Sequence, residues 1–317
     1  MAMNHVQFQP GLSMPAFFAS YGTEEQCEQA LETVRWPSGF RCPRCGGAKH
    51  SVFRDGVRKV FQCSDCRHQA SLIAGTLFQS SKLPLTTWFL AIYLISQAKT
   101  GLSALALKRH LGVSYPTAWL VHHKLMQAMA DREDLYQLSG KVQVDDAYLG
   151  GERSGGKAGR GSENKVPFIA AVSLTDDGNP LRVCCTPVPA FTLNAVAAWS
   201  KAHLVEGSEV FSDGLSCFGA VAEAGCSHHV TVMAGRKPKD VPEFNWINTV
   251  LGNVKTSLAG CYHGFEFGKY ADRYLAAFCY RFNRRFDLKT LHQRLVIAAI
   301  SSPPRNLREI RLADVRC

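Results

Sequence analysis

No Lys or Arg precedes Arg35, and the longest uninterrupted apolar run is Trp88–Ile95. The first absence predicts no signal or transit peptide, because such leaders start basic. The second predicts no membrane-spanning helix, which needs ~20 apolar residues. Acids are scarce between residues 35 and 130, where Asp55 and Asp65 stand against 13 Lys and Arg. Charged residues make up 20% of the 317-residue chain and hydrophobic residues 46%, a balance that excludes a disordered chain. No internal repeat of solenoid length is visible. Twelve cysteines scattered over this length lack the density of a disulfide framework and read as metal ligands plus free thiols. A cytoplasmic globular protein is expected.

The net charge of +10 is unevenly placed. Residues 1–34 carry four acids and no base, residues 35–130 are net +11, residues 131–280 net −3 and residues 281–317 net +6. Two basic blocks flanking a mildly acidic centre suit a polyanionic partner held on basic surfaces.

Local patterns outline the elements. Thr23 with Gln26 predicts a capping box, followed by Cys27, Ala30, Leu31 and Val34 on one helical face and a stop at Trp36-Pro37. Residues 40–78 are Gly- and Cys-punctuated and strand-like around Val57–Gln62. Helical patterning runs from Leu85 to about Met129, broken near Lys99–Gly101 and Gly112. Strands are expected at Lys141–Val144, Phe168–Leu174, Leu181–Pro187, Glu209–Phe211 and His229–Val232, with hairpin chemistry at Asp177-Gly178-Asn179. Helices are expected at Leu193–Leu204, Leu215–Ala224, Trp246–Leu258 and Phe265–Phe282. Strands that precede helices predict an α/β domain with a mixed sheet.

Cys42-Pro-Arg-Cys45 and Cys63-Ser-Asp-Cys66 form two C-x2-C knuckles. Four thiolates from two tight turns close a tetrahedral Zn2+ shell with no open position, so the expected zinc is structural. The Cys226-Ser-His228-His229 run lacks such spacing and reads as a packed strand entry. Ser103–Ser114 reads as a helix carrying Leu105 and Leu111, a turn at Gly112 and a cap at Ser114, which is the pattern of a helix-turn-helix. Ser114, Tyr115 and Thr117 then open a recognition helix, with Lys108, Arg109 and Lys124 placed to neutralise phosphates.

Three apolar elements in the α/β region end in polar groups: Val144-Asp145-Asp146, Phe211-Ser-Asp213, and a helix carrying Asn248 and Lys255. The last two residues are seven apart, about two turns at ~3.6 residues per turn, so they share a face. Converging strand-end acids suit hard divalent cations and phosphoryl transfer. Asp145 and Asp146 compete for one role. Strand alternation puts them on opposite faces, and spacing alone does not choose between them. Gly151–Ala158 nearly matches a phosphate-binding P-loop but has Ala158 where Ser or Thr is needed. It reads instead as a basic loop with Arg153, Lys157, Arg160 and Lys165.

The stretches Cys42–Cys66, Gly112–Trp119, Val142–Gly151, Gly159–Lys165, Phe211–Asp213, Asn248–Lys255, Gly260–His263 and Tyr280–Arg285 together resemble the ISXO-like group of insertion-sequence transposases. The resemblance implies a zinc ribbon and a helix-turn-helix module ahead of a DDE-type domain of ribonuclease H fold. It divides the chain into an N-terminal helical segment (1–37), the ribbon (38–80), the helix-turn-helix region (81–132), the catalytic domain (139–285) and a basic tail (286–317). It implies Asp145 and Asp213 as catalytic acids, and Asn248 as third ligand, as in one branch of the group. It implies Mg2+ or Mn2+ on these three, Lys255 beside phosphate, and Arg281, Arg284 and Arg285 along the DNA backbone. Gln143 and Cys261 stand where Glu and Thr are common. The implied partners are double-stranded terminal-repeat and target DNA and a second copy of the chain, with no membrane. Two other readings share these residues: a DNA-binding protein without cutting activity, which the amide at Asn248 keeps open, and a nuclease that cuts without joining.

Overall fold

A computed structural model describes residues 9–150, 165–231, 241–262 and 264–313. Arg153, Lys157, Arg160 and His263 lie outside the described residues. The elements run α1 (Met14–Tyr21), α2 (Glu24–Arg35), β1 (His50–Asp55), β2 (Arg58–Cys63), β3 (Gln69–Ser71), α3 (Leu85–Gln97), α4 (Ala104–Leu111) and α5 (Tyr115–Glu133). They continue with β4 (Lys141–Leu149), β5 (Val166–Leu174), β6 (Pro180–Pro187), α6 (Leu193–His203), β7 (Glu209–Ser212) and β8 (Ser227–Val230). The chain then forms α7 (Asn245–Cys261), α8 (Phe267–Phe282) and α9 (Leu291–Ser301). It divides into two compact units, one of Met1–Ala98, Ala104–Ala128 and Asp287–Ile310, the other of Lys99–Ser103, Met129–Phe286 and Arg311–Cys317.

In the first unit the expected capping box closes α2: the Gln26 amide donates to Thr23 Oγ1, and the Thr23 amide to Gln26 Oε1. Glu24, Glu28 and Glu32 of α2 have internal partners. Glu24 accepts the Leu85 and Thr86 amides at 2.8 and 3.1 Å. It thereby caps α3, whose own N-cap, Pro84, offers no side chain for the task. Glu28 pairs with Arg54 at 2.7 Å and Glu32 with Lys59 at 2.5 Å. Two acids of the block therefore neutralise bases of the sheet β1-β2-β3, where every pairing is antiparallel. Residues expected in a basic tail form α9, which buries Leu291, Leu295, Val296 and Ala299.

The second unit is built on a five-stranded mixed sheet of order β6-β5-β4-β7-β8. β6, β5 and β4 are antiparallel neighbours, whereas β4-β7 and β7-β8 run parallel. Alternation sorts the two faces. Ala147, Phe168, Ala170, Val172 and Val183 pack with α7 and α8. Val142, Val144, Ile169, Ala171 and Val210 pack with α6 and the segment Ser216–Ala224. That segment, expected as a helix, is a 3-10 helix. β4 does not stop at Val144: its ladder with β5 continues to Leu149, so the two acids sit inside the strand. No helix is long and apolar enough to cross a membrane among the described residues.

Candidate metal and nucleic-acid sites

The four ribbon cysteines meet as expected. Their sulfurs lie within 4.8 Å of one another, with Cys42 to Cys66 and Cys45 to Cys63 each at 3.6 Å. Both knuckles turn the same way: the Gly46 amide donates to the Cys42 carbonyl and the Arg67 amide to the Cys63 carbonyl. Gly46 and Arg67, each next after the second cysteine of its pair, take left-handed φ values of 75° and 59°. Desolvation opposes charge on Cys42, yet the backbone amides of Arg44 and Cys45 draw its thiol down to about 7. Four soft donors in this arrangement fit a structural zinc.

The helix-turn-helix segment forms with its turn at Gly112, φ 66°. Ser114 caps α5 by accepting the Thr117 amide at 3.3 Å. Its hydroxyl also meets that of Thr117 at 2.9 Å. Leu107, not Leu105, is the fully buried anchor of α4. Lys108, Arg109 and Tyr115 are exposed. Lys124 is not with them. It is buried in the middle of α5, its Nζ donates to the Leu77 carbonyl at 3.2 Å, and burial lowers its pKa. The one-face pattern of a recognition helix does not hold there, because α5 is buried all round from Val121 to Ala130. Lys124 is therefore corrected from a phosphate contact to an internal tie.

In the second unit the carboxylates of Asp145, Asp146 and Asp213 come within 4.8 Å of one another. Asp145 lies on the α7 face of β4, in alternation with Gln143 and Ala147. Asp213 follows the last residue of β7. The expected separation of Asp146 does not hold. The Asp145 carboxylate turns along the strand to accept the Asp146 amide at 2.9 Å, and oxygens of both residues come within 4.8 Å of each other. Burial first, then the charges of Asp146 and Asp213, push Asp145 up to about 7, against the pull of Lys255. Clustered, partly desolvated oxygen donors of this kind suit a hard divalent cation.

Asn248 stands in the first turns of α7, where its Nδ2 donates to the Phe244 carbonyl at 2.9 Å. The start of α7 is fixed by a residue that spacing did not single out: buried Gln143 accepts the Ile247 amide at 2.9 Å. The available signal was its position two residues before Asp145 on one strand face.

The three arginines expected on DNA are occupied within this unit. Glu133 binds Arg284, which lies over the Tyr280 ring, and also Arg182 at 3.4 Å and Asn283 at 2.6 Å. Asn283 in turn accepts the Val183 amide at 2.7 Å and donates to the Val183 carbonyl at 2.9 Å, continuing the ladder at the edge of β6. Arg285 donates to the Leu181 and Pro180 carbonyls and stacks on Phe282 and Phe286. Burial lowers the pKa of Arg281, which is set beside Tyr262 and Cys261. Arg284 is thus held by Glu133 as an internal partner, while Arg281 and Arg285 are half-buried against neighbours in the same unit. A helix C-terminus offers carbonyls and aromatic faces that guanidinium groups satisfy well.

Both clusters fall within stretches of the chain that match known families. Residues 137–283 match the ISXO2-like transposase domain and residues 22–69 the transposase zinc-ribbon domain. A Halobacterium salinarum protein described as an uncharacterized protein in transposable element ISH50 is 28% identical over 222 residues. The match covers 64% of this chain and 72% of that protein.

Proposed function

The chain belongs to the ISXO2-like transposase family, and from that premise we propose that it cuts and joins the DNA ends of an insertion sequence. The observation that carries the reading is the convergence of Asp145, Asp146 and Asp213 inside the matched domain. The ribbon and the exposed Lys108, Arg109 and Tyr115 would hold the terminal inverted repeats. Asp145, Asp213 and the amide oxygen of Asn248 would hold Mg2+ or Mn2+, with Asp146 close enough to share in the site. Such ions, when bound, supply a lowered water pKa and charge neutralisation at the leaving oxygen. Asp145 would enter that state deprotonated, and Lys255 would hold a phosphate oxygen by charge. The chain's part is to align water with the scissile phosphodiester, release a 3′-hydroxyl, and then align that hydroxyl with a target phosphodiester. We expect a homodimer or larger assembly on paired ends, acting in the cytoplasm.

The test is a reaction of purified protein, Mg2+ or Mn2+ and labelled terminal-repeat DNA. Joined products from wild type and none from Asp145→Ala support the proposal. Cutting without joining gives the nuclease reading instead. Equal DNA binding by both proteins with no cutting by either overturns the enzyme reading. Asn248→Asp then asks whether the amide, which favours a DNA-binding protein without catalysis, is the reason.

A further inference from the structure

Beside the carboxylate cluster lies an open groove of about 640 Å3, lined in part by Lys141, Gln143, Phe211, Glu243, Asn245 and Trp246. Its volume is in the ~300–1,000 Å3 range of sites for small organic groups. Its place follows from strand register. Gln143 pairs with Phe211, and the next positions of the same parity are Asp145 and Asp213. The groove therefore sits on the catalytic face, one pleat back along both strands, about 7 Å at the usual ~3.4 Å per residue.

The walls are aromatic. Phe211 stacks on His229, its neighbour across β7-β8, with ring centroids at 4.8 Å and planes 18° apart. Phe211 is only half-buried and His229 is exposed. Phe211 is the ring that lines the groove, and His229 supports it from the β7-β8 side of the sheet, away from the α7–α8 core over β4, β5 and β6. Trp246 also lines the groove, and its indole N–H donates to the Gly178 carbonyl at 2.7 Å, which fixes one edge of its ring. Exposed Lys141, Asn245 and Glu243 supply a cation, an amide and an acceptor at the rim. Aromatic faces with a few polar groups suit a planar heterocycle, and a cation beside them suits its phosphate.

We infer that this groove takes one unstacked nucleobase from the strand lying over Asp145 and Asp213, a reading that rests on the proposed DNA-cutting function. Holding one extruded base would fix the position of its strand, and hence of the adjoining phosphodiester, over the carboxylates. The cost is least where the base is already unpaired. Phe211, supported by His229, would stack the base, and Trp246 would supply a second aromatic side of the groove.

The experiment is a cycle between base and protein, using full-length zinc-loaded chain. Terminal-repeat duplexes carry an abasic nucleotide or a mismatch at each position flanking the scissile phosphate. At one position, loss of the base should slow wild-type cleavage about tenfold, in line with the worth of one base–aromatic stack. Phe211→Ala and the surface variant His229→Ala should cleave intact DNA more slowly by a similar factor, and lose nothing further when that base is absent. A mismatch there should raise wild-type affinity severalfold and leave Phe211→Ala unmoved. A mere folding defect would slow every substrate alike. If wild type cleaves but base loss and either substitution add independently at every position, the groove holds no base while the cutting function stands. If wild type cleaves no terminal DNA, the functional reading fails and this inference falls with it.

Discussion

The side-chain oxygen of Gln143 accepts the backbone N–H of Ile247 at 2.9 Å, joining β4 to the first turn of α7 across 104 residues of chain. That amide is one of the donors an α-helix leaves without a partner at its start. Asp145 lies two residues along from one partner and Asn248 next to the other, so this bond sets the register between two proposed ligands. Gln143→Ala should lower the cleavage rate roughly 10- to 100-fold, the scale of a misplacement near 1 Å. Affinity for the DNA end should change little. Gln143→Glu, which still offers an acceptor, should recover most of the rate. Single-turnover cleavage alongside equilibrium binding separates these effects, and a parallel loss of affinity would count against a positioning role.

The exposed and the buried bases of the first unit should part company in salt titrations. Each phosphate contact contributes a slope of about 0.9 to the dependence of log affinity on log salt. Lys108→Ala and Arg109→Ala should each flatten the slope by about one contact. Lys124→Met should leave the slope unchanged and lower the melting temperature, because its Nζ serves the Leu77 carbonyl. Fluorescence anisotropy across a salt series checks both.

Glu133 is the anion on which Arg284, Arg182 and Asn283 meet, and the Arg284 side chain is only 8% exposed. Removing one partner of a buried pair typically costs ~3–5 kcal/mol, because the remaining charge stays buried. Glu133→Ala should therefore destabilise the second unit by about that amount in urea unfolding. Arg284→Met together with Glu133→Leu should recover much of it. Zinc content should be unchanged in all three proteins, since the ribbon is in the other unit.

His292 is buried among Phe17, Tyr21 and Phe89, with Nε2 facing the Phe89 carbonyl at 3.3 Å. Burial pushes its pKa down to about 4. Above the unfolded value near ~6.5 both states are neutral and the first unit has its full stability. As pH falls from there toward about 4, the unfolded chain takes up a proton that the folded chain refuses, and stability declines. The total loss is up to about 3 kcal/mol at ~1.4 kcal/mol per pH unit. His292→Gln should remove this part of the acid sensitivity. Urea midpoints of the two proteins between pH 7 and pH 5 give the comparison, and parallel pH profiles would refute it.

Much was determined by sequence alone, wherever a few nearby residues set local geometry. The Thr23–Gln26 box, the two cysteine knuckles, the Gly112 turn with its Ser114 cap and the hairpin at Gly178 each need only neighbours along the chain. The alternating and helical patterns gave the mixed α/β sheet for the same reason. Tertiary structure decided what those patterns leave open. Which charges face solvent depends on what packs around them: Lys124 and Arg284 are as basic in sequence as Lys108, yet each is buried on a distant oxygen. Asp146 and Asp213 come together with Asp145, although alternation along β4 alone parts Asp145 from Asp146 and says nothing of Asp213. Gln143 acquires its role only when α7 is laid across β4. Local propensity fixes the elements, whereas the environment of a polar side chain is a property of the assembled core, where burial decides whether a charge can be left to water.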